Sequence, residues 1–207
     1  MPHFEFSEKD HSYFVGGAKV PSVSEVIAPL SDFSSVKPEI MRLACEFGNN
    51  AHKTIEFYLN DELDEISLDP RLTDVLEQFK AWDVRLSAYF FRGADWIVEK
   101  RCFHPSLKYG GTPDIVVPGY AIIDFKTRKT NPIKDILQLT AYEAFYGKPG
   151  SHRLIVLELY EDRYKEVDLS NHKLRKQAWP MFRYLLDRWH RENEFSLKIE
   201  GWENKGR

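Results

Sequence analysis

The chain has 207 residues, 43% of them hydrophobic and 29% charged, with 29 Lys and Arg against 32 Asp and Glu for a formal net charge of −3. That length and apolar content support one domain with a sizeable core. The mild acidity excludes a surface coated in basic residues, the usual footprint of tight nonspecific DNA binding, although a cation-loaded cleft brings positive charge of its own. Cys45 and Cys102 are too few for a disulfide framework or a four-cysteine iron–sulfur cluster, so no cluster is expected. No apolar run approaches membrane-spanning length and the N-terminus has no signal pattern, so a cytoplasmic protein without membrane contact is expected.

In chain order, a β-hairpin is predicted around 4–20, then helices around 37–60 and 70–91. Strands follow near 95–104, 111–118 and 120–126, then a helix from about 132 to 147 and strands at 153–160 and 164–167. A basic, aromatic helix over about 171–193 ends the pattern. No linker or internal repeat divides the chain, so 1–207 reads as a single domain of α/β class, with the hairpin within about 1–22.

The chemistry gathers around Gly110-Gly111-Thr112-Pro113-Asp114, where the two glycines read as a turn, and Asp124-Phe125-Lys126. Ile115-Val116-Val117 reads as a buried strand, Pro118-Gly119 as a turn and Ala121-Ile122-Ile123 as a second strand that delivers Asp124 and Lys126. Two positions apart on a strand, Asp124 and Lys126 leave on one face and Phe125 on the other. Asp114 after a proline could cap backbone amides, and Asp124 could pair with a lysine. A shared divalent cation explains both, and hard carboxylate oxygens favour Mg²⁺ or Mn²⁺, with the Phe125 backbone carbonyl as an extra ligand. Cys102 and His104 alternate on a strand without a second pair at zinc spacing, and read as structural.

This order of motifs resembles the PD-(D/E)XK nuclease superfamily, with Pro113-Asp114 matching the first element and Asp124-Phe125-Lys126 the second. Gly48-x-x-x-His52 in an earlier helix and Gln138-x-x-x-Tyr142 in a later one are similar to the RecB-type branch. His11-Ser12-Tyr13-Phe14, Gly16-Gly17 and Pro21-Ser22-Val23-Ser24 resemble the opening of phage-type stand-alone exonucleases of that branch. The resemblance implies a restriction-endonuclease-like core, a central mixed β-sheet flanked by helices. It also implies that Asp114, Asp124 and Lys126 are catalytic and that His52 is a metal ligand beside the aspartates. Glu56 and Glu99 are candidates for support of that site or for a second ion. Gln138, Tyr142, Thr127 and Arg128 are candidates for DNA contact.

The same resemblance implies a Mg²⁺- or Mn²⁺-dependent DNA exonuclease leaving 5′-phosphates, acting at DNA ends in recombination or repair in a prokaryotic or phage-infected cell, with a recombination protein as partner. A structure-selective or restriction-type endonuclease would use the same residues. A non-catalytic DNA-end-binding module is the other alternative. Lys173, Arg175, Lys176, Arg183, Arg188 and Arg191, interleaved with Trp179, Phe182, Tyr184 and Trp189, could grip DNA, but at helical spacing such aromatics are commonly a buried helix face.

Overall fold

The computed structural model describes residues 3–31, 34–89 and 96–203. The end of the predicted helix, 90–91, and the first position of the predicted strand, 95, lie outside the described residues.

The predicted N-terminal hairpin is a three-stranded antiparallel meander of β1 (Phe4–Ser7), β2 (Ser12–Val15) and β3 (Ala18–Val20). A five-residue helix, α1 (Val23–Ile27), follows. It is too short to show periodicity, but it carries a capping box in which the Ser22 hydroxyl accepts from the Glu25 amide and the Glu25 carboxylate from the Ser22 amide. The long helices α2 (Pro38–Leu59) and α3 (Pro70–Tyr89) come next, each with proline at its first position, where its missing N–H costs nothing.

The predicted strand 95–104 is two short strands, β4 (Ile97–Val98) and β5 (Cys102–His104), which belong to different sheets. The break falls at Glu99, whose φ of 44° turns the chain out of the ladder. The predicted strand 111–118 is divided in the same way into β6 (Tyr109–Gly111) and β7 (Ile115–Val117). Gly110 and Gly111 are therefore not a turn: they are buried strand positions paired with Phe103 and Cys102.

β8 (Ala121–Lys126) pairs antiparallel with β7 and parallel with β9 (Arg153–Leu159), and α4 (Pro132–Tyr146) makes the crossover between β8 and β9. β10 (Tyr164–Asp168) completes a mixed five-stranded sheet in the order β10-β9-β8-β7-β4. The final helix, α5 (Arg175–Glu203), begins a turn later than predicted and runs further.

Period-two alternation along the central strands feeds two cores. Val116, Ile122, Leu154 and Val156 face α1, α4 and α5, with Ile136, Leu139 and Phe182 completing that layer. Ile115, Ile123, Phe125, Ile155 and Leu157 face α2 and α3, against Ile55, Phe79 and Trp82. The result is an α/β fold with a central mixed sheet flanked by helices on both faces.

The aromatic C-terminal helix serves that packing. Phe182 is fully buried and Trp179 packs partly buried against the same core. Arg175 donates to Thr140 and, at 2.5 Å, to the buried Glu143 carboxylate, while Arg188 and Arg191 pair along the helix with Glu192 and Asp187.

A Cβ on Gly110 would overlap the Tyr13 ring, and one on Gly111 would lie 2.8 Å from Tyr142 Cε1. Gly110→Ala and Gly111→Ala should each cost about 1–3 kcal/mol, the range for overpacking a close contact. Gly48→Ala meets only Thr127 Oγ1, at 3.6 Å, and should be neutral or stabilising by up to about 1 kcal/mol through helix propensity. Urea unfolding of the three variants checks the contrast.

Candidate active site

Asp114 stands where β6 gives way to β7, at the end of the ladder that β7 forms with β8. Its Oδ2 accepts from the Phe125 backbone N–H at 2.5 Å, so a side chain supplies the partner that a longer β7 would have provided. In a strand the N–H and C=O of one residue face the same edge, which directs the Phe125 carbonyl toward the same side. Asp114 Oδ1 lies 3.0 Å from His52 Nδ1 on α2. Ala51 and Ile55 anchor that part of α2 in the core, and His52 stands beside Phe125 with ring centroids 6.0 Å apart.

Glu99 completes the group. Its backbone N–H donates to the Asp114 carbonyl at 3.0 Å, and its carboxylate comes within 4.0 Å of His52 Nδ1. One donor atom from each of His52, Glu99 and Asp114 falls within 4.8 Å of the others. The Glu99 backbone turn that breaks the predicted strand is what aims its carboxyl inward. Glu56, one turn beyond His52, is half-buried and close enough to Glu99 to raise its pKa.

Asp124 and Lys126 share the β8 face that also carries Ile122, as their spacing requires, and Phe125 packs on the opposite face. Lys126 Nζ forms an ion pair with Asp124 Oδ2. Asp124 Oδ2 is fully buried with no other donor beside it, so this ion pair carries the whole of its compensation.

The charges crowd each other. Burial, with Asp114 and Glu56 beside it, pushes the Glu99 carboxyl up to about 10. Burial also pushes Asp124 up to about 6, against the pull of Lys126. Asp114 resists its own burial because His52, Lys126 and the Phe125 amide hold it below the usual carboxylate range. Burial disfavours the Lys126 ammonium, but Asp124 and Asp114 outweigh it and keep its pKa above normal. Three buried carboxyl groups that share one imidazole and one ammonium fit a hard divalent cation, with oxygen donors and one nitrogen donor close together.

The remaining candidates divide. Gln138 Nε2 donates to the Tyr142 hydroxyl at 3.1 Å, and both residues are buried on α4, with Tyr142 lying against Gly111. Thr127 approaches Gly48 where α2 passes β8. The Arg128 guanidinium is held in two hydrogen bonds, 3.1 and 2.6 Å, by the fully buried Asp135. Cys102 contacts the Tyr146 hydroxyl and His104 accepts from the Leu107 amide, in line with structural roles.

Lys134, one of the basic residues near the motifs, reaches Ser31 Oγ at 2.8 Å on the first turn of α4. One contributor was not legible. Glu158 sits opposite Lys126 in the β8–β9 register and accepts from the Thr130 amide at 2.7 Å and the Tyr160 hydroxyl at 2.7 Å, fixing the loop after Lys126. It belongs to no local motif, and only strand register brings it here.

No protein-family model matches the chain, and no curated protein matches it. Among solved structures it is similar to an alkaline exonuclease (LHK-Exo) from Laribacter hongkongensis, at 15% identity and a TM-score of 0.42, over 75% of this chain and 85% of that one. It is also similar to LHK-Exo in complex with dAMP, at 16% identity and a TM-score of 0.42, over 89% of this chain and 94% of that one. No helix among the described residues is long and apolar enough to cross a membrane.

The raised carboxyls give a pH signature. A folded-state pKa above the unfolded value means that the unfolded chain ionises first, so stability falls as pH climbs from the unfolded value toward the folded one. In EDTA, wild-type stability should fall between about pH 5 and 8, and Glu99→Gln should flatten that fall and raise the Tm at about pH 8. Added Mn²⁺ should reverse the order, raising the wild-type Tm by several degrees and that of Glu99→Gln or Asp114→Asn by less. Scanning calorimetry with and without the ion reads both effects.

Proposed function

We propose that this chain is a divalent-cation-dependent nuclease that hydrolyses DNA from its ends and leaves 5′-phosphates. The observation that carries the reading is the convergence of His52, Glu99 and Asp114 donor atoms within 4.8 Å, next to an Asp124–Lys126 ion pair. His52, Glu99 and Asp114 would hold the ion, the Asp124 carboxylate would join them, and the Phe125 carbonyl faces the same edge as its amide. Mg²⁺ and Mn²⁺ suit this donor set. A bound divalent ion supplies Lewis acidity to the phosphate and an acidified water.

The chain's own residues do the rest. Lys126 is an ammonium here, so it donates: it can orient the attacking water or stabilise charge on the phosphoryl oxygens as the bond to the 3′-oxygen breaks. It must give up its proton to Asp124 or solvent before it can act as a base. Asp124 takes up negative charge reluctantly, so it answers the arrival of positive charge by ionising. The Gln138–Tyr142 pair is buried within electrostatic reach of Asp124 and Asp114, so it supports the site from the α4 side instead of gripping DNA directly. Thr127 lies against Gly48 of α2, and Arg128 braces the loop after Lys126 through Asp135.

Purified protein should degrade linear DNA in Mg²⁺ or Mn²⁺, spare covalently closed circles and stop in excess EDTA. Lys126→Ala should lower turnover by about 10²–10³-fold, as removal of a transition-state donor does, with metal affinity by calorimetry largely kept. Asp114→Asn should lose both. Full activity in EDTA, or equal metal loss in the Lys126 variant, would overturn the assignment, and rapid nicking of closed circles would replace the exonuclease with an endonuclease.

A further inference from the structure

Nothing in the proposed hydrolysis uses the N-terminal meander, yet one of its side chains reaches the step from β6 to β7 that ends in Asp114. Tyr13 stands on β2, the central strand of the meander, and is only 1% exposed. Phe6 and Phe4 hold its ring, with centroids 5.0 and 6.1 Å away, and Phe4 in turn stacks on Phe103 of β5 at 5.5 Å. The ring lies so close on the Gly110 backbone that no Cβ fits there. The Gly110 amide donates to the Pro21 carbonyl at 2.9 Å, and Ser22 bridges to the same residue, so the chain that follows the meander is joined to β6 by backbone as well.

The Tyr13 hydroxyl shares a hydrogen bond of 2.8 Å with Thr112 Oγ1. Burial raises the pKa of the phenol, against the pull of that bond, so the hydroxyl keeps its proton. Thr112 and Pro113 fall between β6 and β7, in the ladder of neither sheet. Pro113 fixes its own φ and restricts Thr112 to extended backbone. With both residues stiff, a hold on the Thr112 side chain also limits where Asp114 can stand. Asp114 tolerates little freedom: one carboxylate oxygen meets His52 Nδ1 at 3.0 Å and the other accepts from the Phe125 amide at 2.5 Å.

We propose that Tyr13 is a positioning residue for the candidate metal site: through Thr112 it holds the Asp114 carboxylate at the place where a divalent cation would meet it. The proposal rests on the cation-dependent reading given above. The rival role for the bond is to satisfy a buried phenol and nothing more, and affinity for the ion separates the two.

The test is Mn²⁺ binding by calorimetry, beside thermal unfolding without the ion, for the wild type, Tyr13→Phe, Thr112→Val, their double variant and Thr112→Ser. Tyr13→Phe keeps the ring against Gly110 and removes the hydroxyl alone, and Thr112→Val keeps the branched shape. Each should weaken Mn²⁺ binding roughly tenfold, as loss of a group that orients a ligand does. The double variant should lose no more than either single one, and Thr112→Ser, which keeps the hydroxyl, should stay within about twofold of the wild type. Wild-type affinity in Tyr13→Phe and Thr112→Val, with only the Tm lowered, overturns the positioning role and leaves the metal site standing. Losses that add in the double variant overturn it too, because the two hydroxyls would then act separately. If Tyr13→Phe does not fold, the contrast between Thr112→Val and Thr112→Ser decides. No Mn²⁺ binding by the wild type removes the cation reading and the positioning role with it.

Discussion

The hydrogen bond from the Phe125 amide to Asp114 Oδ2 is where architecture and chemistry meet. β7 stops at Ile115 in its pairing with β8, while β8 runs on to Lys126. That mismatch in length leaves the edge of β8 open beyond Ile123, and the Asp114 carboxylate fills it. The same carboxylate meets His52 on α2, and the Asp114 backbone carbonyl accepts from the Glu99 amide. Contacts from α2, from Glu99 and from β8 therefore meet at one residue, which is fixed in place at the start of β7. A site built where a central strand outruns its neighbour is held by hydrogen bonds to rigid elements, with Ala51 and Ile55 fixing α2 behind it.

The electrostatics follow from that placement. Glu99, Asp114 and Asp124 are drawn into one buried region by backbone constraints that take no account of their mutual repulsion. Natural folds accept such cost where function requires it. Among the described residues, the buried carboxylates of Asp135 and Glu143 each have a cation of their own: Asp135 is met by Arg128 and the Asn131 amide, and Glu143 by Arg175 and two backbone amides. The contrast with three carboxyls that share one imidazole and one ammonium marks the candidate site more sharply than any residue pattern does.

Much of this was readable in the sequence, and the failures have physical causes. Long amphipathic helices and the alternating strands β8 and β9 announce themselves because local periodicity and burial agree there. Asp124 and Lys126 fall on one face by strand geometry alone. The breaks at Glu99 and at Thr112–Asp114 were missed because β-branched and aromatic runs on either side look continuous; a positive φ at a non-glycine residue leaves no compositional trace. Gly110 and Gly111 read as a turn because glycine serves both turns and tight crossings, and only the fold reveals Tyr13 and Tyr142 on either side. Glu158 and Asp135 were invisible because their partners are set by tertiary contacts.

Glu143 carries a consequence for how the chain comes into being. It accepts from the Gly150 and His152 amides close by in sequence, but its balancing cation, Arg175, lies more than thirty residues further on. As the polypeptide leaves the ribosome, α4 and β9 are available well before α5. During that interval Glu143 has amide donors without a counter-ion, and the apolar face awaiting Phe182 and Leu186 is wet. The layer over β8, α4 and β9 is therefore complete only once α5 is in place, because that one helix brings both the cation for Glu143 and the apolar side chains that cover the sheet.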